Sequence, residues 1–514
     1  MSLVMRTPRP VWFVLASLLA ASLIGCAAGP DFKAPNPDLP AAWSASASPA
    51  THDQPSQVAS APGESASAWW SSFNDPELTS LIGRAASANL DAKEAVLRIS
   101  EARAQRDVSA AAFWPSLSAN ASAQVDRLSE STPTGALFSK VGQFPGLGGV
   151  SIPNPYDQYQ LGFDASWEID LFGRVRRSVE AARADTEASV EDGRAVLIAM
   201  MGDIGRAYID LRGAQAKRGI IEETIATQRD LEDLAGQRRR AGLSGDIDVV
   251  RAAAETSSAE AQLPALDRQI TQDINQLSKL LAREPGALRA ELDAVQPVPA
   301  VPPRVPIGLP ADLARRRPDI REAEARLHAA TARVGVAVAD LYPRVTLGAQ
   351  GGLQSETLAA LTRWASRFVT AGPTVDLPIF DAGRRRATVR LEGVRAQEAA
   401  LDYRRTVLSA LHEVDDALAA YGADQTRRAA LSETVARDRD AVELGRQRYA
   451  SGVASFIDVL DAERTLQQNE LSLADASAAV STNLVVLYKA LGGGWRPGSE
   501  GLASAVGAGQ PQLR

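Results

Sequence analysis

The sequence has very few cysteines, histidines and aromatic residues. Among 514 residues there are one cysteine and three histidines, and aromatic residues make up only 5%. The histidines, His52, His328 and His412, are far apart and lack the spacing of a metal-binding motif. No phosphate-binding loop or nucleophile elbow is present. We therefore expect no enzyme, no metal and no organic cofactor.

The overall composition points to helices packed through small and branched side chains. Hydrophobic residues make up 45% and charged residues 23% of the chain, which is long enough to bury a large core. The formal net charge of −7 does not provide the basic surface that nucleic-acid binding requires.

The first 25 residues are predicted to be a lipoprotein signal peptide. Arg6 and Arg9 precede an apolar run over residues 11–24, which is too short to span a bilayer but suits a signal peptide. The run ends at Cys26 in the sequence LIGC, which resembles a lipobox and predicts a covalent diacylglycerol on this cysteine. Because Ala27 and not an aspartate follows, we expect sorting to the outer membrane. A buried thiol at Cys26 is the alternative.

Two stretches, one in each half of the chain, are copies of the same unit. Apolar residues recur at steps of 4, 3, 4 and 3, which places them on one stripe of an amphipathic helix. The first set is Leu197, Met201, Ile204, Tyr208 and Leu211, and the second, 210 residues later, is Val407, Leu411, Val414, Leu418 and Tyr421. The chain therefore contains two tandem repeats.

The repeats define the predicted domains. We expect a lipidated tether rich in Pro, Ser and Ala at 26–67, a first repeat at 68–294, a Pro-rich linker at 295–310, a second repeat at 311–491 and a flexible tail at 492–514. Alternation of apolar and polar residues predicts strands at about 116–125, 158–169, 344–351 and 368–377. Helices are predicted at 75–114, 174–241, 246–282, 317–342, 384–450 and 455–491, with helical turns at Gly242 and Gly452.

The four strands have the length and alternation of transmembrane barrel strands. Aromatic residues cluster at their helix-proximal ends, where an interfacial belt would lie: Trp114, Trp167, Phe172, Tyr342 and Phe380. The alternative is that these are core aromatics at helix–strand junctions. Four strands cannot close a barrel, and an open edge in lipid leaves backbone groups unpaired. The architecture therefore requires several copies of the chain.

Several motifs together resemble one family. They are CAAGPDF at 26–32, WSSFNDPEL at 70–78, RPDIREAE at 317–324, PIFDAGR at 378–384 and DVLDA at 458–462. The chain resembles the outer-membrane efflux proteins, TolC-like and OprM-like channels, in their lipoprotein (NodT-type) branch. The resemblance implies a mainly α protein with a transmembrane β part, in which long α-helical hairpins form a periplasmic α-barrel. Four strands per chain would contribute to a trimeric twelve-stranded outer-membrane β-barrel.

The resemblance also implies a function and partners. The homotrimer would be the outer-membrane component of a tripartite efflux pump, a passive gated duct that exports drugs or other small molecules. It would dock onto a periplasmic adaptor, a membrane fusion protein, and an inner-membrane transporter of RND type. Two alternatives remain, namely a channel for type I protein secretion and a periplasmic coiled-coil adaptor lipoprotein. The adaptor would not explain four alternating strands.

The family's gate lies where the helices turn, and matching motifs place Asp458 and Asp461 there, with Asp248 as the counterpart in the first repeat. Three copies would form carboxylate rings that attract cations and raise one another's pKa. The alternative is that these acids favour the helix macrodipole. Residues 453–455 contain no arginine, so a salt-bridged gate is not predicted. Tyr449 is a candidate hydrogen-bond tether.

Overall fold

A computed structural model describes residues 27–37, 39–44, 57–58, 68–133, 135–136, 153–302, 305–307 and 309–494. These residues contain six strands: β1 (Gln57–Val58), β2 (Ser116–Asp126), β3 (Tyr156–Ile169), β4 (Val305–Pro306), β5 (Arg344–Ser355) and β6 (Arg367–Asp376). The α-helices are α1 (Pro76–Ala88), α2 (Leu90–Ala111), α3 (Arg174–Arg240), α4 (Asp246–Glu260), α5 (Leu263–Leu280), α6 (Arg289–Leu292), α7 (Pro310–Arg316), α8 (Pro318–Ala339), α9 (Arg384–Ala450) and α10 (Phe456–Ala490).

The chain divides into two compact units. The strand unit contains the described residues within 1–33, 102–185 and 327–399, and the helical unit contains those within 34–101, 186–326 and 400–514. The four long strands therefore all belong to the strand unit.

The four predicted strands form one antiparallel sheet in the order β2-β3-β5-β6. Ile169 of β3 pairs with Val345 of β5, which pairs in turn with Val375 of β6, so the helix-proximal strand ends are in register. Apolar side chains of the sheet are exposed within one chain, including Leu117, Phe163, Val369 and Val375. Within the described residues, neither β2 nor β6 has a partner on its outer edge.

The two long helices follow the sequence prediction closely, and each contains 67 residues. At 1.5 Å per residue, each extends for about 100 Å. Their duplicated stripes are buried in one core of the helical unit, where Met201, Ile204, Tyr208 and Leu211 correspond to Leu411, Val414, Leu418 and Tyr421. Of these residues, Leu411 is only partly buried. Helix α10 is apolar enough by length and composition to span a membrane, but its residues Val480, Leu484 and Leu487 belong to this core.

Two helices that the sequence predicts as continuous are each broken in the structure. The predicted helix 75–114 divides into α1 and α2 at Asn89, which is buried and has extended backbone. The Asn89 side chain accepts a hydrogen bond from the Ala92 amide (3.0 Å) and donates to the Leu280 carbonyl (2.8 Å). The predicted helix 246–282 divides into α4 and α5 just before Pro264, whose ring nitrogen cannot donate a helical hydrogen bond.

The segment predicted as a tether makes specific contacts where it is described. In the strand unit, the Ala28 amide donates to the Phe172 carbonyl (2.9 Å), and the Phe32 ring stacks on His328 with centroids 4.3 Å apart. Asp31 forms an ion pair with the buried Arg177. We call these contacts the N-terminal clasp.

The helical unit holds other segments for which no packing was predicted. Trp43 is only 4% exposed and belongs to the helical core, although it lies in the predicted tether. In the Pro-rich linker, β4 forms a parallel pair with β1. The linker carbonyl of Pro299 also accepts a hydrogen bond from the Ser481 hydroxyl (2.7 Å). The described parts of both segments therefore pack within the helical unit.

Candidate functional site at the helical turns

The two long helices end in the same kind of turn. Gly242 and Gly452 have φ values of +74° and +79°, a backbone region that favours glycine. The Leu243 amide donates to the Arg238 carbonyl and the Val453 amide donates to the Arg448 carbonyl, both at 2.8 Å. These are the bonds of a Schellman motif, which ends a helix sharply and reverses the chain.

The Asp458 carboxylate caps the start of α10. It accepts hydrogen bonds from the amide (3.0 Å) and the hydroxyl (2.8 Å) of Ser455, and the Ser455 hydroxyl caps the Asp458 amide in return. The hydroxyl hydrogen bond, and then the amide hydrogen bond, lower the pKa of this exposed carboxyl. In the carboxylate ring predicted from the sequence, neighbouring copies would raise this pKa. Within one chain the shift is opposite, because donors and not a second carboxylate surround the side chain.

The Asp461 carboxylate lies three residues further along the same helix and is 64% exposed. Its nearest cation is Arg464, whose Nη1 is 3.6 Å from the Asp461 Oδ1. The Arg464 guanidinium also forms an ion pair with Glu255 of α4. Ion pairs thus lie close to the turn even though residues 453–455 contain no arginine. The spacing of three residues between Asp461 and Arg464 was the sequence signal for this pair.

Asp248 and Tyr449 are electrostatically linked across the two turns. Asp248 is half-buried in the first turn of α4. Tyr449 is only 4% exposed, and its ring lies 5.3 Å from the ring of Phe456. Burial raises the pKa of Tyr449 most, the charge of Arg238 opposes the rise, and the charge of Asp248 adds to it. Among the described residues, the Tyr449 hydroxyl has no hydrogen-bond partner.

Arg238 connects the first repeat to the end of α9. Its guanidinium carbon lies 4.6 Å from the centroid of the Tyr449 ring. The same group donates to the carbonyls of Tyr449 (2.9 Å) and Ala450 (3.3 Å), which are the last two residues of α9. A cation at this position stabilises the carbonyl end of a helix. Arg238 was not predicted as a site residue, because only the fold brings it to the end of α9.

A small apolar cluster packs the two turns together. Its members come from α3, α4, α9 and α10, and they are Leu231, Ala235, Ala252, Tyr449, Phe456, Val459 and Leu460. The candidate gate acids Asp458 and Asp461 therefore lie on a helix whose opposite face, through Val459 and Leu460, is fixed in this cluster. No group of acids, histidines and cysteines in the described chain has the arrangement of a metal site. Cys26 lies outside the described residues.

Ion pairs continue along the helices away from the turns. Arg446 of α9 binds Glu463 of α10 with an Nε to Oε1 distance of 2.7 Å, and Arg439 binds Glu470 at 2.7 Å. Burial raises the pKa of Glu463 and Arg446 opposes the rise. These pairs line an open groove that Glu223 and Thr227 of α3 also border.

Comparison with known proteins identifies the family. The sequence profile of the family described as "Outer membrane efflux protein" matches residues 81–283 and 309–493. The toluene efflux pump outer membrane protein TtgI of Pseudomonas putida is 33% identical over 474 residues, which cover 92% of this chain and 96% of TtgI. Nodulation protein T of Rhizobium leguminosarum bv. trifolii is 31% identical over 484 residues, which cover 92% and 96% of the two chains.

A solved structure shows the same fold. The outer-membrane channel OprN is 34% identical, with a TM-score of 0.81, and the match covers 92% of this chain and all of OprN. TtgI is named as an efflux pump protein and OprN as a channel, and the family match runs through both repeats. The chain belongs to the outer membrane efflux protein family and is the outer-membrane channel of an efflux pump.

Proposed function

We propose that three copies of the chain form the passive, gated duct of a tripartite pump that exports drugs or other small organic molecules. The supporting observation is the four-stranded sheet, whose edge strands β2 and β6 have no further partner in the described part of the chain. Backbone groups at these edges need partners in lipid, and three sheets would close a ring of twelve strands. TtgI is by name a toluene efflux protein, which favours small apolar cargo over secreted protein.

The partners are expected at the end of the helices where the turns lie. A periplasmic adaptor and an inner-membrane transporter of RND type would dock there, since the duct itself has no energy source. The N-terminus would be anchored in the outer membrane through diacylglycerol on Cys26. The duct needs no metal or organic cofactor for this role.

The gate is proposed at the exposed acids of α10, supported by Asp248 and Tyr449. In a trimer, Asp458 and Asp461 would each occur three times around one axis and present carboxylates to passing cations. Ser455 holds the first acid in one orientation. Arg464 partly neutralises the second, so the charge at the neck depends on this ion pair.

Planar-bilayer recording of the purified trimer tests the gate. We expect Asp461→Asn to weaken block by a divalent cation applied on the helical side, and Arg464→Gln to strengthen it by freeing Asp461. The matched control is Asp475→Asn, which makes the same charge change on α10 away from the turn. If Asp461→Asn and Asp475→Asn give the same block and conductance, the constriction lies elsewhere.

A further inference from the structure

The two long helices both begin with arginines, but only one set is paired. At the start of α3, Arg174 binds Glu168 (2.6 Å) and Arg176 binds Asp170 (3.3 Å). Helix α9 begins with three consecutive arginines, followed by a fourth four residues later. Of these, Arg385 pairs with Asp381 (3.5 Å), whereas the exposed side chains of Arg384, Arg386 and Arg390 have no ion pair among the described residues.

This unpaired set does not stabilise its own helix. Arginine is unfavourable in the first turn, where the macrodipole is positive, and α9 has no acid there to compensate. At the offset of 210 residues, Arg174 and Arg176 are the counterparts of Arg384 and Arg386, and both are neutralised by partners, so the duplication itself provides the comparison for these two arginines. A binding role outside the chain would account for the difference.

Exposed apolar side chains directly precede these arginines. Ile379 and Phe380 are 93% and 89% exposed, and they occupy the connection between β6 and α9. In a membrane interface, apolar side chains lie in the hydrocarbon region and cations lie in the neighbouring headgroup region. Apolar residues followed by cations therefore fit such an interface. We call Ile379, Phe380, Arg384, Arg386 and Arg390 the basic-apolar patch.

The N-terminal clasp independently indicates where the headgroups lie. The Ala28 amide is bonded to Phe172, so Cys26 is only two residues away from a point fixed at the start of α3. Acyl chains on Cys26 would therefore enter lipid at the level of Gly173. Because Ile169, Val345 and Val375 are in register across the sheet, the start of α9 follows a strand that ends at this same level.

We propose that the basic-apolar patch binds anionic phospholipids of the membrane leaflet that faces the helices. Guanidinium groups form strong paired hydrogen bonds with phosphate, and Ile379 and Phe380 would lie among the acyl chains. A neighbouring copy of the chain is a poorer partner. The described residues of the strand unit that precede β2 contain two acids, Asp31 and Asp107, and both are already paired, Asp31 with Arg177 and Asp107 with Arg106 (2.7 Å).

Native mass spectrometry of the full trimer with added phosphatidylglycerol or phosphatidylethanolamine tests this proposal, which rests on the proposed outer-membrane channel. The test variant is Arg384→Gln, Arg386→Gln and Arg390→Gln together. The control is Arg404→Gln, Arg405→Gln and Arg437→Gln, which removes three charges from exposed arginines further along α9. Each basic residue near an anionic surface contributes about fivefold, so we expect on the order of a hundredfold weaker phosphatidylglycerol binding in the test variant alone.

The expected result includes unchanged phosphatidylethanolamine binding, trimer content and single-channel conductance. Unchanged phosphatidylglycerol binding by the test variant would overturn the proposal. Dissociation of the test variant into monomers without added lipid would also overturn it and would assign the patch to contacts between copies. Absence of conductance in the unsubstituted trimer would instead contradict the proposed channel. Lipid binding is measured separately, so the two failures can be told apart.

Discussion

At the residue scale, the turn of α9 depends on a cation from another helix. Arg238 satisfies two carbonyls at the end of α9 and covers the Tyr449 ring. The Tyr449 hydroxyl contributes none of these contacts. The candidate tether within one chain is therefore the ring, held by Arg238 and Phe456, and not the hydroxyl that the sequence suggested.

This difference gives a paired prediction. Arg238→Ala should lower the free energy of unfolding by about 1 to 3 kcal/mol, because it leaves helix-end carbonyls without their charged donor. Tyr449→Phe should change it by less than about 0.5 kcal/mol, since a hydroxyl without a partner is removed. Chemical denaturation of the detergent-solubilised protein measures both.

Hydrogen exchange of the peptide containing residues 446–455 adds a local readout. Exchange should accelerate in Arg238→Ala and stay unchanged in Tyr449→Phe. If Tyr449→Phe destabilises the protein as much as Arg238→Ala does, the hydroxyl must bind a group of a neighbouring copy, and the original tether hypothesis would be restored.

At the element scale, the sequence predicts the long elements well and their interruptions poorly. Helices α3 and α9 are continuous because apolar stripes repeat along them without proline. The break at Asn89 was overlooked because small and apolar residues continue on both sides, although asparagine followed by Asp91 is a helix-start signal. The break before α5 also had a sequence signal, Pro264.

For the candidate site, too, only part of the arrangement could be predicted from the sequence. Glycine positions and acids near the turns can be read from chain spacing, whereas Arg238 and the partner of Arg464 come from other elements, so only the fold brings them together. The same reason explains the N-terminal clasp. Composition predicted a tether, whereas Phe32 and Asp31 contact helices far along the chain.

The contact between α1 and α6 leads to a prediction about pH. Burial, and then a hydrogen bond and charge repulsion from Glu291, raise the pKa of Glu77 from 4.5 to about 7, although Arg84 opposes the rise. A raised carboxyl pKa means that the folded state holds the proton more tightly than the unfolded state. This contribution to stability is fully present below pH 4.5 and is lost as pH rises towards 7.

The melting temperature of Glu77→Gln, measured from pH 4.5 to 8, should therefore fall less with rising pH than that of the unsubstituted protein. Asp91→Asn is the control, since it removes an exposed first-turn acid from α2. Parallel curves for Glu77→Gln and the unsubstituted protein would show that Glu77 holds no extra proton in this range.

At the scale of the whole molecule, the two edges of the sheet that have no partner in the described chain determine how copies of the chain assemble. Strands β2 and β6 are the two edges, and a ring forms when β6 of one copy pairs with β2 of the next. This contact joins two different surfaces, so closure depends on the rotation between copies. Lipid allows no open edge, so the ring must be complete.

Cysteine crosslinking tests the closure and the number of copies. Ala121→Cys in β2, combined in turn with cysteine at each β6 position from 367 to 375, should give oxidised products in one register. The products should reach three chains and no more, because three four-stranded sheets close the ring. A cysteine pair at Asp164 and Gln350, which are already paired in β3 and β5, should form only intrachain disulfides. A ladder beyond three chains, or no interchain product in any register, would contradict a closed trimer.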